Sequence, residues 1–378
     1  MRKGVYAVHT VSMDLGGRTL TIETGHLARQ ANGACLVRYA DTVVIAAVVG
    51  ERQGKPDRDF LPLTVDYREK MYAAGRIPGG FFKREGRPTE KEILSSRLTD
   101  RALRPLFPSG YNAEIQVHLN VLSHDAENDS DVPALLAAAT AVNLSELPFP
   151  GPVAAVRVGK IGTRLVVNPT LDEQDECTIN LAVAGTETSI VMVEGGSRQA
   201  GEAEMLELLR FAHEEIKRIC ALERELMAKA GKPKWEFQPA QPPAGLREKV
   251  ESTFGARLRE ANVIPDKAGR EAALDAVTKA ALEALAETYP DNLSDVKAAL
   301  GAIEKEHLRS RILEEGVRAD GRGFSDIRQI TCEVGLLPRT HGSSVFTRGQ
   351  TQALVVTTLG TGSDEQKLAQ LEGETWKS

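Results

Sequence analysis

Cysteine is scarce in this chain, and its spacing is uninformative. Cys35, Cys177, Cys220 and Cys332 lie far apart with no C-x-x-C pair. That excludes a disulfide framework or a cysteine-based zinc site and leaves four reduced thiols. No apolar run approaches the roughly 20 residues that span a bilayer. The N-terminal MRKGVYAVHT lacks the apolar core of a signal peptide, so the expectation is a cytoplasmic protein without a membrane partner. Neither a Walker A sequence nor a G-x-G-x-x-G following a strand occurs, which argues against an NTPase or a dinucleotide enzyme. The seven histidines show no H-E-x-x-H or H-x-x-E-H spacing, so a zinc hydrolase is unsupported. The acidic run Asp125-x-Glu127-x-Asp129 invites a calcium loop, but Ser130 and Leu136 stand where an EF-hand needs glycine and glutamate. It reads instead as a solvated acidic turn with a helix N-cap at Asp131.

What is present is the make-up of a globular protein of two or three domains: 378 residues, 42% hydrophobic and 26% charged. Alternating and β-branched stretches (RTLTIETG, ACLVRY, TVVIAAVVG) predict strands within residues 17–50, with a turn at Tyr39–Thr42. Further strands follow from Phe60, at Glu114–Ser123, and in the stretch from VAAVRVG to TSIVMVEGG. VPALLAAATAVNLSEL is apolar enough for a buried helix, and a long amphipathic helix spans about Glu202 to Ala230. The segment 231–245 holds Pro233, Pro239, Pro242 and Pro243 and reads as a linker. An Ala/Leu/Glu/Lys-rich region at 246–311 reads as a small all-helical domain, after which strand-like sequence resumes near Ile330. These changes divide the chain into 1–230, 231–245, 246–311 and 312–378.

Laying Gly335–Gly360 over Gly25–Gly50, an offset of 310, pairs Gly25 with Gly335, Arg29 with Arg339, Arg38 with Arg348 and Gly50 with Gly360. The pattern suggests a duplicated fold whose copies flank the helical region.

One stretch concentrates charge. The chain carries a net −6, yet from Lys83 to Arg104 seven bases (Lys83, Arg84, Arg87, Lys91, Arg97, Arg101, Arg104) face four acids (Glu85, Glu90, Glu92, Asp100). A positive patch in an acidic protein suits a polyanion. A helix is bounded there by Pro88, a Thr89-x-x-Glu92 capping box and Pro105. Arg97, Arg101 and Arg104 recur at i, i+4 and i+7, on one face. They are either a solvated stripe paired with Glu90, Glu92 or Asp100, or a row of guanidinium groups for phosphates. Ile93 and Leu94 beside the stripe suggest that it is partly enclosed. Phe81 and Phe82, next to Lys83 and Arg84 in a glycine-flanked loop, are either core residues or stacking platforms of the kind single-stranded RNA sites use.

YAAGRIPGGFFKREGRPTEKEILSSRLTDRALRPLFP (Tyr72–Pro108) and LPRTHGSSVFTRGQTQALVVTTLGT (Leu337–Thr361) resemble signatures of bacterial polynucleotide phosphorylases. Arg318–Arg322, RADGR, resembles the opening motif of ribonuclease PH-type domains. The resemblance covers nearly the whole chain. It implies an α+β architecture: a ribonuclease PH-like domain, an all-helical middle domain, and the beginning of a second ribonuclease PH-like domain. It also implies processive 3′-to-5′ phosphorolysis of single-stranded RNA, releasing nucleoside diphosphates reversibly, in mRNA turnover and RNA processing. Inorganic phosphate would be the co-substrate and magnesium the cofactor. A homotrimer around an RNA channel, in company with RNA-degradation machinery, is implied as well.

Matched residue by residue, Phe81 and Phe82 correspond to the channel's aromatic constriction. Lys83, Arg84, Arg87 and Arg104 correspond to RNA-binding positions, with Arg97 and Arg101 joining by helical register. Arg322, Arg339, His341 and Arg348 correspond to motifs flanking the active site. The family's serine loop, its magnesium-binding aspartate pair and its C-terminal RNA-binding modules have no counterpart in these residues. The expectation is therefore no catalytic or metal residue within the chain, weak RNA binding and little activity alone. A non-catalytic RNA-binding scaffold is the alternative, and a hydrolytic ribonuclease ranks last.

Overall fold

The computed structural model describes residues 7–54, 58, 60–79, 83–239 and 241–377, in two compact units, 1–239 with 365–378 and 240–364. The first unit is built on a six-stranded sheet. Its strands are β1 (His9–Leu15), β2 (Arg18–Thr24), β3 (Gly33–Tyr39), β4 (Thr42–Gly50), β5 (Leu63–Glu69) and β6 (Ile115–Ser123), with α1 (Glu90–Leu103) between β5 and β6. The spatial order is β1-β2-β3-β4-β6-β5, and only the β5–β6 pairing is parallel. The strand β1 goes beyond the sequence expectation, and β5 starts at Leu63 rather than Phe60.

Next come α2 (Asp131–Leu144), β7 (Ala154–Ile161), β8 (Arg164–Val167), α3 (Leu171–Glu176), β9 (Ile179–Gly185), β10 (Ile190–Ser197) and α4 (Glu202–Ala230). The strands form a second, antiparallel sheet in the order β10-β9-β7-β8. Every residue of α2 is buried, and the helix packs on β3 and β4 of one sheet and β7 of the other. It therefore lacks a polar face, as a helix covered all round must. Gly33 lets it approach: a Cβ at that position would sit 1.9 Å from the Ala141 carbonyl oxygen. The amphipathic α4 lays Leu208, Ala212, Ile216, Ile219 and Leu226 into the same core.

The second unit begins with three helices, α5 (Leu246–Asn262), α6 (Lys267–Leu285) and α7 (Leu293–Ser310). Their core is Val250, Phe254, Leu258, Val277, Ala281, Val296, Leu300 and Ile303. An antiparallel sheet follows, β11 (Ile330–Val334), β12 (Gly342–Arg348) and β13 (Thr351–Thr357), in the order β11-β12-β13. A final hairpin, β14 (Gln366–Ala369) and β15 (Glu374–Lys377), belongs with the first unit.

The duplication is visible as two meanders, β2-β3-β4 and β11-β12-β13. Tyr39 pairs with Thr42 and Arg348 with Thr351, and each turn opens on a left-handed residue, Ala40 (φ 50°) and Gly349 (φ 61°). These turns align at an offset of 309 (349 − 40), one less than the sequence overlay. A one-residue slip exchanges the faces of a strand, so Arg38 and Arg348 are not equivalent hairpin positions. Cys35, Cys177 and Cys220 are buried thiols and Cys332 an exposed one, with no disulfide among them.

Candidate nucleic-acid interface

The helix α1 is set by its first turn. Thr89 Oγ1 accepts from the Glu92 amide (3.2 Å) while Glu92 Oε2 accepts from the Thr89 amide (2.6 Å), the expected capping box. Glu92 Oε1 also accepts from the Glu69 amide (2.9 Å), and Ser96 Oγ accepts from the Tyr67 amide (3.1 Å), so the helix is sewn to β5. The helix ends at Leu103, two residues before Pro105.

This anchoring sorts the arginine stripe. Arg104, just past the helix, donates to Asp100 in a bidentate pair (2.9 and 2.7 Å) and to the carbonyls of Leu61 (2.8 Å) and Leu63 (3.1 Å). Its guanidinium is spent holding α1 on β5. Arg101 pairs with Glu194 on β10. Arg97 is exposed and has no hydrogen-bond or ion-pair partner among the described residues, and the same holds for Lys83, Arg84 and Arg87. Ile93 and Leu94 are half exposed, so the stripe is open rather than enclosed: only Ser95, Leu98, Thr99, Ala102 and Leu103 turn the other face inward with Glu92. Phe81 and Phe82 lie outside the described residues.

Lys70 and Glu85 form an ion pair (3.1 Å), and Glu85 also accepts from the Met71 amide (3.2 Å). These contacts tie the basic loop down beside a cavity of about 620 Å³ lined by Arg68, Lys70, Arg84, Arg87, His118 and Asn120 among others.

Beside α1 lies a charge cluster that sequence reasoning missed. Lys91 Nζ meets Glu69 (3.0 Å), Asp129 (3.4 Å) and Glu372. Arg157 on β7 meets Asp131 and donates to Asn180 Oδ1 (3.1 Å). The acidic turn is thus solvated only in part, at Ala126 and Glu127. Asp129 and Asp131 are drawn in by these two cations, Ser130 rather than Asp131 holds the N-cap position, and the Ser130 hydroxyl lies 2.7 Å from Tyr67 Oη. Burial opposes ionisation of Asp129, yet Lys91 and Arg157 hold its carboxyl below the usual range; burial and the neighbouring Asp129 push Asp131 up. Burial likewise works against the Lys91 ammonium, and the carboxylates around it outweigh that and keep it charged. Burial pushes His124 down, leaving it neutral near pH 7. No local signal could have exposed this cluster, because Glu69, Lys91, Asp129, Arg157 and Glu372 come from five separate places in the chain.

In the second unit, Arg322 is engaged by Asp320 (2.9 Å) and the Asp326 carbonyl (2.8 Å). The Leu359 amide donates to His341 Nδ1 (2.9 Å), while Arg339 is exposed. Arg348 stands at the far end of β12 from His341, roughly 20 Å away at the rise of an extended strand. Arg339 and His341 are therefore neighbours, and Arg348 is not brought to them.

Comparison with known proteins accounts for this architecture. The 3′ exoribonuclease family, domain 1, matches residues 16–148 and again 326–375, so one family covers both meanders. The family's domain 2 matches 151–215, and the polyribonucleotide nucleotidyltransferase RNA binding domain matches 245–323. Polyribonucleotide nucleotidyltransferases of Heliobacterium modesticaldum (48% identity, 94% of this chain and 50% of the relative), Thermomicrobium roseum (49%, 98% and 48%) and Xanthobacter autotrophicus (49%, 98% and 51%) are among the relatives. A solved archaeal exosome core overlaps 58% of this chain and 87% of its own at 16% identity, with a TM-score of 0.42. The chain spans about half the length of the curated relatives it matches. It belongs to the polyribonucleotide nucleotidyltransferase family, with a first ribonuclease PH-like core, the helical domain and the opening of a second core.

Proposed function

We propose that this chain supplies the RNA grip of a phosphorolytic 3′-to-5′ exoribonuclease, acting on single-stranded RNA with inorganic phosphate as co-substrate. The observation that carries the reading is the division of labour in the basic stretch. Among the described residues, Lys83, Arg84, Arg87 and Arg97 are cations without internal partners, while Arg101 and Arg104 are consumed by the protein. Unpaired cations on an acidic protein attract a polyanion, and backbone phosphates take them without sequence preference. Phe81 and Phe82, adjoining them in sequence, would stack bases.

Arg339 and His341 are proposed to flank the reacting end of the RNA, whereas Arg322 is held by Asp320 and Arg348 stands at the far end of β12. A homotrimer, RNA-degradation partners and a cytoplasmic setting belong to the same proposal.

Magnesium does not fit the donors described here. The buried carboxylates Glu69, Asp129, Asp131 and Glu372 are already compensated by Lys91 and Arg157, and the described residues contain no group of three or more His, Cys, Asp or Glu side chains arranged to hold a metal ion. The chain's own contribution is to bind and orient RNA.

The test is titration of the purified chain with a fluorescent oligoribonucleotide at several salt concentrations. Salt-sensitive binding that weakens in Arg84→Ala and Arg97→Ala is expected, with little release of nucleoside diphosphate on adding phosphate. Binding indifferent to both substitutions would refute the grip.

A further inference from the structure

The turn between β14 and β15 reaches the basic stretch from nearly three hundred residues away. Leu371 at that turn is 0% exposed, wholly inside the main core of the first unit. On one side of it, Arg76 Nη1 donates to the Gln370 carbonyl (3.1 Å). On the other, Glu372 joins Glu69 and Asp129 around Lys91, and Lys377 closes on Glu90 (2.9 Å). Arg76 opens the basic stretch, and Glu90 and Lys91 head the helix that closes it. Among the described residues between them, Glu85 ties the loop to Lys70 and Met71.

We propose that the Gln370–Gly373 turn is a brace for the RNA grip: a surface on the first ribonuclease PH-like core accepts this leucine-glutamate turn and thereby positions residues 76–97. Leu371 supplies the apolar anchor, Glu372 the charge that completes the Lys91 site, and the Gln370 carbonyl the stop for Arg76. Its members are positioning residues, none of which needs to touch RNA. The surface is built for this occupant. A buried ammonium requires carboxylates, and Glu372 is the one among its three that arrives from outside the β5–α1–α2 region. The effect on RNA rests on the grip reading above, whereas the brace itself does not.

Hydrogen exchange on the full chain tests both. In Leu371→Ser and in Glu372→Gln, the Met71, Arg76, Glu92 and Ile93 amides are expected to exchange faster, roughly tenfold in the first variant and about threefold in the second, with β4 and β6 amides unchanged. Affinity for a single-stranded oligoribonucleotide falls in parallel, by about threefold or more. Unchanged exchange at those four amides in both variants overturns the brace. Should Leu371→Ser open β4 and β6 as well, Glu372→Gln decides. Faster exchange with unaltered RNA affinity overturns the positioning role. If the unmodified chain binds no RNA, the grip reading fails and the exchange result alone decides the brace.

Discussion

Glu223 on α4 accepts a 2.5 Å hydrogen bond from Thr140 Oγ1 on α2, inside the core and with no cation beside it among the described residues. Asn143 donates to the other carboxyl oxygen (3.2 Å), and the Asn143 Oδ1 atom has no partner. Burial pushes Glu223 up to about 8 from 4.5, against those hydrogen bonds. Burial thereby favours the protonated carboxyl.

The sign of the resulting pH dependence follows from linkage. An acid whose folded pKa is raised leaves stability intact below its unfolded value, here 4.5, and removes it progressively as pH climbs to about 8. Glu223→Gln, always neutral, is expected to melt close to the parent at pH 5. At pH 8.5 it should be more stable by on the order of 2–4 kcal/mol. Urea melts at the two values check this; a Gln variant that is less stable at both would reject it.

Lys234, in the segment 231–245, places its ammonium on the carbonyls of Val142 (3.1 Å), Asn143 (2.8 Å) and Ser145 (2.8 Å) at the end of α2. It caps the helix C-terminus, where terminal carbonyls have no intrahelical donor. Lys234→Met keeps the aliphatic stem and strands those oxygens, so a loss of about 1–3 kcal/mol is expected in denaturant melts at pH 7.

The arginines on and beside α1 should separate by assay. Arg97→Ala is expected to lower the salt slope of RNA binding by about 1 with no change in stability. Arg104→Ala should leave the slope intact and cost about 1–3 kcal/mol, because it frees the Leu61 and Leu63 carbonyls and Asp100. Equal effects of both on RNA would show that the stripe acts as one surface.

Every residue of β13 is exposed, including Leu354, Val355 and Val356, and its outer edge is unpaired among the described residues. An apolar open edge templates association. The purified chain should self-associate at micromolar concentration by light scattering, and Val355→Lys should reduce the scattering severalfold, at about the level expected for gatekeeper charges. A monodisperse, cooperative monomer would contradict this.

Much of this protein was legible in local pattern. The β3–β4 hairpin, the all-apolar α2, the span of α4, the helical region and the capping box at Thr89 depend on periodicity and near neighbours, and those act within a few residues. The basic stretch and the family signatures were legible for the same reason.

Tertiary structure alone decided which cations are free. In sequence, Arg97, Arg101 and Arg104 are the same residue type at helical spacing, and the placement of β5 and β10 assigns two of them to the protein. It also turned Asp129 and Asp131 of the acidic turn into ion-pair partners, because Lys91 and Arg157 approach them from α1 and β7. The hairpin register likewise depends on which residue takes the left-handed turn, which moved the duplicated frames by one residue. By itself, the sequence determined most of the elements and the family; long-range electrostatics and packing, which couple residues as distant as Lys91 and Glu372, determined the role of each charge.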